Sequence, residues 1–289
     1  MTTPIQNTPT LRASPGSERV TVIRPVRSRF DLGLADLPQY ARFIYVLFWR
    51  DIKVRYKQSV LGIAWVLVQP VAMMLVFTFV FGQMAGMPSD GAPYPIFAFT
   101  GLLPWLLFQR NLTQGSNSLV TFKNEITKIY FPRIIAPLST FMSALFDFAL
   151  SFIVLAPLML YFRIIPGWPI LLLPVFILLL AATSFSIVLW LSALNVEYRD
   201  IQQIIPFLAQ LWLFVTPVVY PSSIVPESLK LLYFLNPMSG VVEGFRWMIL
   251  GSAPPDLWPL SVSLGMVFVL GISGLWYFNK ISMTMADRI

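Results

Sequence analysis

The feature that most restricts the fold of this chain is a series of long apolar stretches separated by short polar segments. Six of them are long enough to cross the hydrocarbon core of a bilayer as a helix, which takes about 20 residues. They lie at 61–82, 94–119, 136–161, 170–194, 201–220 and 258–278. With 57% hydrophobic and 11% charged side chains, the chain is also too apolar for a soluble domain. The sequence therefore predicts an all-α integral membrane protein with six transmembrane helices.

The second stretch, 94–119, differs from the other five because its latter half is polar. Pro104 interrupts the apolar part, and several polar side chains come after it. They are Arg110, Asn111, Gln114, Ser116 and Asn117. Polar and charged groups are costly in lipid, so we expect this half-helix to face protein or a water-filled path.

The positions of Lys and Arg predict the orientation, because cytoplasmic segments of membrane proteins carry an excess of these residues. With the N terminus inside, most of the 20 Lys and Arg residues fall in cytoplasmic segments. The external segments carry only Arg163, Lys230 and Arg246. We therefore expect both termini in the cytoplasm. The net charge of +7 comes from basic residues at the N terminus and in short loops. We therefore expect these residues to contact an anionic membrane surface, and we expect no binding of nucleic acid.

The N-terminal part divides into two regions. Residues 1–35 are rich in Pro, Thr, Ser and Arg and have little apolar surface, which predicts a flexible cytoplasmic tail. In residues 36–58, apolar side chains recur at helical spacing and basic residues gather on another face, which predicts an interfacial amphipathic helix. The apolar set is Tyr40, Phe43, Ile44, Leu47 and Phe48, and the basic set is Arg42, Arg50, Lys53 and Lys57.

Residues 222–250 are apolar enough to resemble a seventh span. However, Asn236 and Pro237 break the run, and each fragment is too short to cross a bilayer. A seventh span would also place the C terminus outside. We predict a re-entrant pair of short helices that dips in from the external side and acts as a gate. Glu243 and Arg246, at i and i+3 of the second helix, are expected to pair within this gate.

The residue types exclude most catalytic chemistry. The chain has no Cys and no His, and therefore no thiol nucleophile, no imidazole base and none of the usual zinc ligands. We expect no catalytic residue, no metal site and no cofactor in this chain. It also lacks the G-x-x-x-x-G-K-[ST] phosphate loop, so the energy for any transport must come from a partner or from a gradient.

Four short motifs resemble one known family. They are RDIKVRYKQS at 50–59 running into Leu61 and Gly62, ITKIYFPR at 126–133, LNVEYRD at 194–200 and NPMSG at 236–240. Together they resemble the type-2 ABC transporter permeases of polysaccharide export, most closely the Wzm-like permeases of O-antigen, with relatives in capsule and teichoic acid export. The likeness runs from about residue 36 to the end of the chain.

The resemblance implies a type-2 ABC transmembrane domain over 61–281. It also implies a homodimer docked on two copies of a separate ATPase subunit, which would bind ATP and Mg. The implied cargo is a lipid-linked polysaccharide, an undecaprenyl-pyrophosphate-linked O-antigen or a similar glycan. The implied location is the inner membrane of a bacterium, as a multi-pass protein.

The cytoplasmic loop 121–133 mixes charged and apolar side chains. In the family this loop is the coupling helix, which sits in a groove of the ATPase. The resemblance assigns this contact to Lys123, Glu125, Lys128, Tyr130, Phe131, Pro132 and Arg133. The alternative is an ordinary basic loop that fixes topology. Coupling is favoured because topology alone does not call for Tyr130 and Phe131 at the membrane edge.

A second cytoplasmic turn carries the charged residues Glu197, Arg199 and Asp200 beside Tyr198. They are also candidates for ATPase contact. A network that joins the ends of the fourth and fifth spans is an equal alternative, because opposite charges a few residues apart commonly pair with each other.

Basic residues near the cytoplasmic mouth are candidates for binding the lipid pyrophosphate. They are Arg50, Lys53, Arg55, Lys57 and Arg110. Arg110 and Asp147 are the two ionisable residues inside the spans, and a rise of about 1.5 Å per residue places them about 10 Å apart in height. We therefore expect no simple pair between them, and a buried hydrogen bond for Asp147.

Two other functions remain open at this stage. A type-2 ABC permease could export a drug or a small lipid, although all four motifs match the polysaccharide branch. A membrane-embedded glycosyl or phosphoglycosyl transferase would need carboxylates arranged for metal and sugar phosphate. Only Glu125, Glu197 and Asp200 lie near the cytoplasmic mouth, and they form no D-x-D pair.

Overall fold

The computed structural model describes residues 34–57 and 62–288, and the side chains of 36–57 and 62–282. The part of the chain that it describes is helical and contains no strand. Most of the predicted tail, residues 1–33, lies outside the described residues. Residues 58–61, which include the end of the first motif, lie outside them as well.

The α-helices follow one another with short connections. They are α1 Ala41–Tyr56, α2 Trp65–Phe77, α3 Tyr94–Arg110, α4 Ser116–Thr121, α5 Lys123–Lys128, α6 Ile135–Tyr161, α7 Leu173–Glu197, α8 Ile201–Val215, α9 Glu227–Phe234, α10 Pro237–Leu250 and α11 Leu257–Arg288. Two π-helical segments extend them: Thr78–Met84 continues α2, and Asn111–Gly115 joins α3 to α4. Short 3-10 turns lie at Leu34–Tyr40, Gly62–Ala64, Trp168–Leu172 and Ser222–Ile224.

Within the described residues, four helical stretches are long and apolar enough to cross a membrane. They are Gly62–Met84, Ile135–Tyr161, Trp168–Glu197 and Leu257–Ser282, and they coincide with the predicted spans one, three, four and six. The chain is therefore a multi-pass membrane protein. The fifth predicted span is shorter than expected, because α8 ends at Val215 and its 15 residues rise only about 22 Å. Six spans stay a prediction.

The central element of the fold is α3, whose residues from Ile96 to Phe108 are almost all buried. It packs against α2, α6 and α10. The polar segment that follows faces protein, as predicted: Asn111 and Ser116 are fully buried. Asn195 of α7 donates from Nδ2 to the backbone oxygen of Ser116 at 3.0 Å and to Oδ1 of Asn117 at 2.6 Å.

The segment 222–250 forms two helices that break at the predicted place. Asn236 caps α10 by accepting a hydrogen bond from the Met238 backbone N–H at 3.1 Å, and Pro237 occupies the first turn, where its missing N–H costs nothing. α10 is largely buried against α3, α7 and α11. A Cβ at Gly244 would lie 1.8 Å from the Phe176 ring, so this close contact with α7 requires glycine.

The N-terminal helix α1 lies along α6 and has two apolar faces. Phe43 packs on Phe131 with ring centroids 5.1 Å apart, and Phe48 packs on Phe146 at 6.1 Å. The predicted apolar set is therefore partly turned toward the protein. Outward-facing side chains on the same helix include the exposed Tyr45, Val46, Trp49 and Val54. An exposed apolar face of this kind suits the membrane interface.

Candidate functional site: an arginine cavity and a coupling surface

A polar cavity of about 520 Å³ lies where the C-terminal end of α1 meets α2, α3 and α6. We call it the arginine cavity. The charged and polar side chains on its wall are Arg55, Tyr56, Gln69, Gln109, Arg110, Thr113, Gln114, Asp147 and Ser151. Apolar side chains of α2, α3 and α6, such as Trp65 and Leu103, complete the wall. Two guanidinium groups thus reach one cavity at the level of the membrane helices.

The Asp147 carboxylate, 8% exposed, is the centre to which these groups converge. Arg110 Nη1 forms an ion pair with its Oδ2, and Arg55 Nη1 donates to the same oxygen at 3.3 Å. Tyr56 Oη donates to the other oxygen, Oδ1, at 2.9 Å. The second Arg55 nitrogen, Nη2, donates at 2.9 Å to Gln114 Oε1 and at 2.9 Å to Asp51 Oδ2.

The expectation that Arg110 and Asp147 do not pair is wrong, whereas the buried hydrogen bond predicted for Asp147 is confirmed. The height estimate counted only the backbone rise along straight helices. The long arginine stem lets the guanidinium group lie well away from its own Cα, and this reach closes the gap. A pair also lowers the cost of holding either charge within the membrane.

The other basic candidates lie outside this cavity. Lys53 on α1 and Lys57, just after its end, are exposed. Arg50 is directed elsewhere: its Nη1 lies 2.5 Å from Glu125 Oε1, and its guanidinium carbon lies 4.6 Å from the centroid of the Phe122 ring. Of the five candidates for substrate binding, the structure therefore brings only Arg55 and Arg110 together.

A second site is the surface around α5, which presents polar and apolar side chains to the outside. We define the coupling surface as the exposed residues Lys123, Asn124, Thr127, Lys128, Ile129 and Tyr130. Ile129 and Tyr130 are 55% and 50% exposed, so the patch contains two adjacent large apolar side chains that a partner could bury. The predicted candidates Lys123, Lys128 and Tyr130 therefore lie together on one accessible patch.

Phe131 does not belong to that patch, contrary to the expectation that it docks on the ATPase. Its side chain is 1% exposed and packs on Phe43 of α1, in a small core below the loop. The sequence alone does not indicate which of the two adjacent aromatic side chains, Tyr130 or Phe131, faces inward. Pro132 and Arg133 are half-buried, and Arg133 Nη1 donates to the backbone oxygen of Phe131 at 3.4 Å.

Glu125 is half-buried and faces α1, where it forms the ion pair with Arg50. It therefore connects α5 to the N-terminal helix α1. At the turn after α7, Glu197 accepts a hydrogen bond from Tyr277 Oη at 2.7 Å, which joins α7 to α11. The alternative network between the fourth and fifth spans stays a prediction. Arg199 and Asp200 are exposed beside it.

Glu243 and Arg246, two of the four predicted gate residues, line a second cavity of about 720 Å³, at the opposite end of α3 from the arginine cavity. No ion pair joins Glu243 to Arg246, so the predicted i, i+3 pair is wrong. Arg246 is 4% exposed and donates to the backbone oxygens of Val218 at 2.8 Å and Tyr220 at 3.3 Å, with its guanidinium 3.6 Å from the Phe97 ring centroid. The Arg246 side chain points into the protein because the backbone carbonyl groups of Val218 and Tyr220, which lie beyond the end of α8, need hydrogen-bond donors.

Asn236 ties the helix break to the end of α8. Its Oδ1 accepts a hydrogen bond from Trp212 Nε1 at 3.0 Å, and its Nδ2 donates to Thr216 Oγ1 at 2.9 Å. Asn236 and Arg246 therefore connect α10 to the C-terminal end of α8 and to the segment that follows it. A gating role for this segment stays a prediction.

Several residues of these sites escaped the sequence reasoning. Tyr56, Gln114 and Asp51 complete the arginine cavity and its charge balance, and Ile129 completes the coupling surface. Tyr56 and Asp51 stand within the first motif, which was the only signal that could have pointed to them. Gln114 is separated from Arg55 by 59 residues, so nothing local connects them.

Comparison with known proteins places these features in a family. The family model described as "ABC-2 type transporter" matches residues 42–250. An O-antigen export system permease protein RfbA of Myxococcus xanthus is 32% identical over 248 residues, which cover 85% of this chain and 93% of the relative. A permease of the same name from Klebsiella pneumoniae is 27% identical, over 91% of this chain and 98% of its own length. The polysialic acid transport protein KpsM of Escherichia coli is 24% identical, over 69% and 78%. The chain therefore belongs to the ABC-2 type transporter family.

Proposed function

We propose that this chain is the permease subunit of an ABC exporter that carries a polysaccharide across the bacterial inner membrane. The cargo is an undecaprenyl-pyrophosphate-linked O-antigen or a similar glycan. The observation that carries the proposal is the likeness to O-antigen export permeases along nearly the whole length of those relatives. A more distant relative named for polysialic acid transport supports polysaccharide as the broader class.

The arginine cavity suits the pyrophosphate end of such a cargo. Arg55 and Arg110 carry planar guanidinium groups that can bind phosphate oxygens bidentately. Gln114 and Tyr56 add neutral donors beside them. The cavity lies among apolar side chains of membrane helices, so a polyprenyl tail could remain in lipid while its head group enters.

The coupling surface suits the ATPase partner that an ABC permease needs. This chain has no phosphate loop, so ATP and Mg are bound by that separate subunit. Ile129 and Tyr130 would supply the apolar docking contact, with Lys123 and Lys128 at its edge. The assembly would contain two copies of this chain and two of the ATPase, because one unit of this size is too small to enclose a wide path. Both termini would lie in the cytoplasm.

Loss of the chain tests the proposal in cells. A strain in which this reading frame is deleted should lose its surface polysaccharide and accumulate lipid-linked glycan inside the inner membrane. Re-expression of the wild-type chain should restore the surface glycan. Unchanged surface glycan, with a drug or a small lipid retained in its place, would favour the alternative class of type-2 permease.

A further inference from the structure

We propose that Asp147 is an internal competitor for the arginine cavity, an anion that the cargo's pyrophosphate must displace in order to bind. The proposal rests on the proposed binding of lipid pyrophosphate in this cavity and concerns how that binding is regulated. Asp147 keeps the cavity closed to weakly charged head groups and lets the bound cargo leave again.

The geometry shows a carboxylate in the place that a phosphate group would take. Both arginines contact the same oxygen of Asp147, Oδ2, Arg110 through an ion pair and Arg55 at 3.3 Å. Carboxylate and phosphate are bound by guanidinium in the same way, with two parallel N–H···O contacts. The arginine side chains keep 21% and 22% of their surface open, so a ligand in the cavity can reach them.

The other oxygen of Asp147 is held independently. Tyr56 Oη donates to Oδ1 at 2.9 Å, on the side of the carboxylate that the arginines do not use. When a ligand takes the arginines, Asp147 can therefore keep one hydrogen bond instead of being left wholly unpaired. Displacement is then reversible, because leaving a buried charge without any partner would cost several kcal/mol.

The charges in this cluster cancel before any ligand arrives. Arg55 and Arg110 are balanced by Asp147 and by Asp51, which accepts from Arg55 Nη2 at 2.9 Å. A head group with one negative charge interacts with the arginines no more favourably than the Asp147 carboxylate does, so it has no advantage in the exchange. A pyrophosphate diester carries two negative charges and spans both guanidinium groups, so it can win the exchange.

This competition matters because the inner leaflet is rich in anionic phospholipids. Two unpaired arginines beside the hydrocarbon would attract these lipids and stay occupied. Asp147 lowers the affinity of the cavity for every anion by the same amount. The affinity of the cavity for phosphatidylglycerol is then too low for binding, whereas its affinity for the pyrophosphate lipid remains high enough. The pyrophosphate lipid is also released faster after transport.

The test compares the wild-type complex of the permease and its ATPase with the Asp147→Asn variant, in nanodiscs of phosphatidylcholine. The asparagine keeps an acceptor for Tyr56 and removes the charge. Inorganic pyrophosphate and undecaprenyl pyrophosphate should each bind the variant about tenfold more tightly or better, the effect of removing one competing carboxylate from a partly buried pair. Added phosphatidylglycerol should weaken pyrophosphate binding to the variant and leave the wild-type affinity nearly unchanged.

Asp51→Asn is the matched control. It removes a carboxylate from the outer edge of Arg55 and leaves the contact between Arg110 and Asp147 in place. Its affinity should rise by less than about threefold, since this half-buried i, i+4 pair is more open to solvent than Asp147. A general loss of structure lowers ligand affinity, so a rise that is specific to Asp147→Asn reports competition.

The results separate this proposal from the one on which it rests. Equal pyrophosphate affinity in the wild type and in Asp147→Asn would overturn the competitor role and leave the cavity as a binding site. No binding to either protein would overturn both. Should the variant be unstable, inorganic pyrophosphate added during solubilisation should raise the yield of folded complex above that in chloride at equal ionic strength. A recovery no better than in chloride would also overturn the proposal.

Discussion

Arg50 and Glu125 form an ion pair of 2.5 Å that joins the N-terminal helix α1 to α5, which carries the coupling surface. Five residues further along the same helix, Arg55 contacts Asp147 in the arginine cavity. One helix, α1, thus contacts both proposed sites. A change in the position of the coupling helix could therefore be passed to the cavity through α1.

The first prediction concerns this ion pair. Arg50→Glu should reduce glycan-stimulated ATP hydrolysis and export by up to about fivefold, because a partly exposed pair contributes up to about 1 kcal/mol. The variant with Arg50→Glu and Glu125→Arg restores opposite charges and should recover much of the loss. Arg50→Glu, Glu125→Arg and the double variant are all measured in vesicles with the ATPase partner present. If the loss in the double variant equals the product of the losses in the two single variants, the pair carries no coupling.

The second prediction concerns the coupling surface. Ile129→Ala with Tyr130→Ala should weaken assembly with the ATPase more than Lys128→Ala does, because burial of a large apolar side chain contributes about 1.5–3 kcal/mol and an exposed ion pair about 0–1. Co-purification of the two subunits is the measurement. A stronger effect of Lys128→Ala would show that the contact is electrostatic.

Phe131→Ala serves as the contrast to those substitutions. Phe131 is buried against Phe43, so its truncation should destabilise the fold by about 3–5 kcal/mol. The isolated permease should lose thermal stability, whereas Ile129→Ala with Tyr130→Ala should leave it nearly unchanged. Normal stability of the isolated Phe131→Ala permease would contradict its burial.

The third prediction concerns Arg110. Arg110→Lys keeps the charge but removes bidentate binding, so export should fall about tenfold or more. Lys53→Gln is the control, because Lys53 is exposed on α1 outside the cavity, and it should have little effect. Export is measured at equal amounts of assembled complex. Wild-type export by Arg110→Lys would leave Arg110 as a partner of Asp147 and nothing more.

The fourth prediction concerns topology. The chain has no native Cys, so single cysteines report accessibility cleanly. A cysteine at Asp90 should react with a membrane-impermeant maleimide in intact spheroplasts, and one at Asn124 only after the membrane is opened. Labelling of position 124 in intact spheroplasts would contradict the proposed orientation.

The helices could be predicted from the sequence because long apolar runs have few alternatives. The break at Asn236 and Pro237 could be predicted for a related reason, since proline and a capping side chain act locally. Side-chain direction within the polar segments could not. Nothing local distinguishes the exposed Tyr130 from the buried Phe131 beside it.

Contacts between residues that are far apart in the sequence could not be predicted either. Arg50 and Glu125 are 75 residues apart, and the closure of Arg110 on Asp147 depends on how α3 packs against α6. A rise per residue gives the height of a backbone atom, but an arginine head group can lie far from that height. The two cavities follow from packing of several helices, which no single motif encodes.

The most direct test of the central account is transport in reconstituted vesicles. Purified permease and ATPase are placed in vesicles with fluorescently labelled, undecaprenyl-pyrophosphate-linked glycan on the side of the ATPase, and protection of the glycan from an added glycosidase is followed over time. The account predicts that ATP makes the glycan inaccessible on that side, and that a catalytically inactive ATPase or the Arg110→Lys permease largely abolishes this movement. ATP hydrolysis that moves a small lipid or a drug, while the glycan stays accessible to the glycosidase, would contradict it.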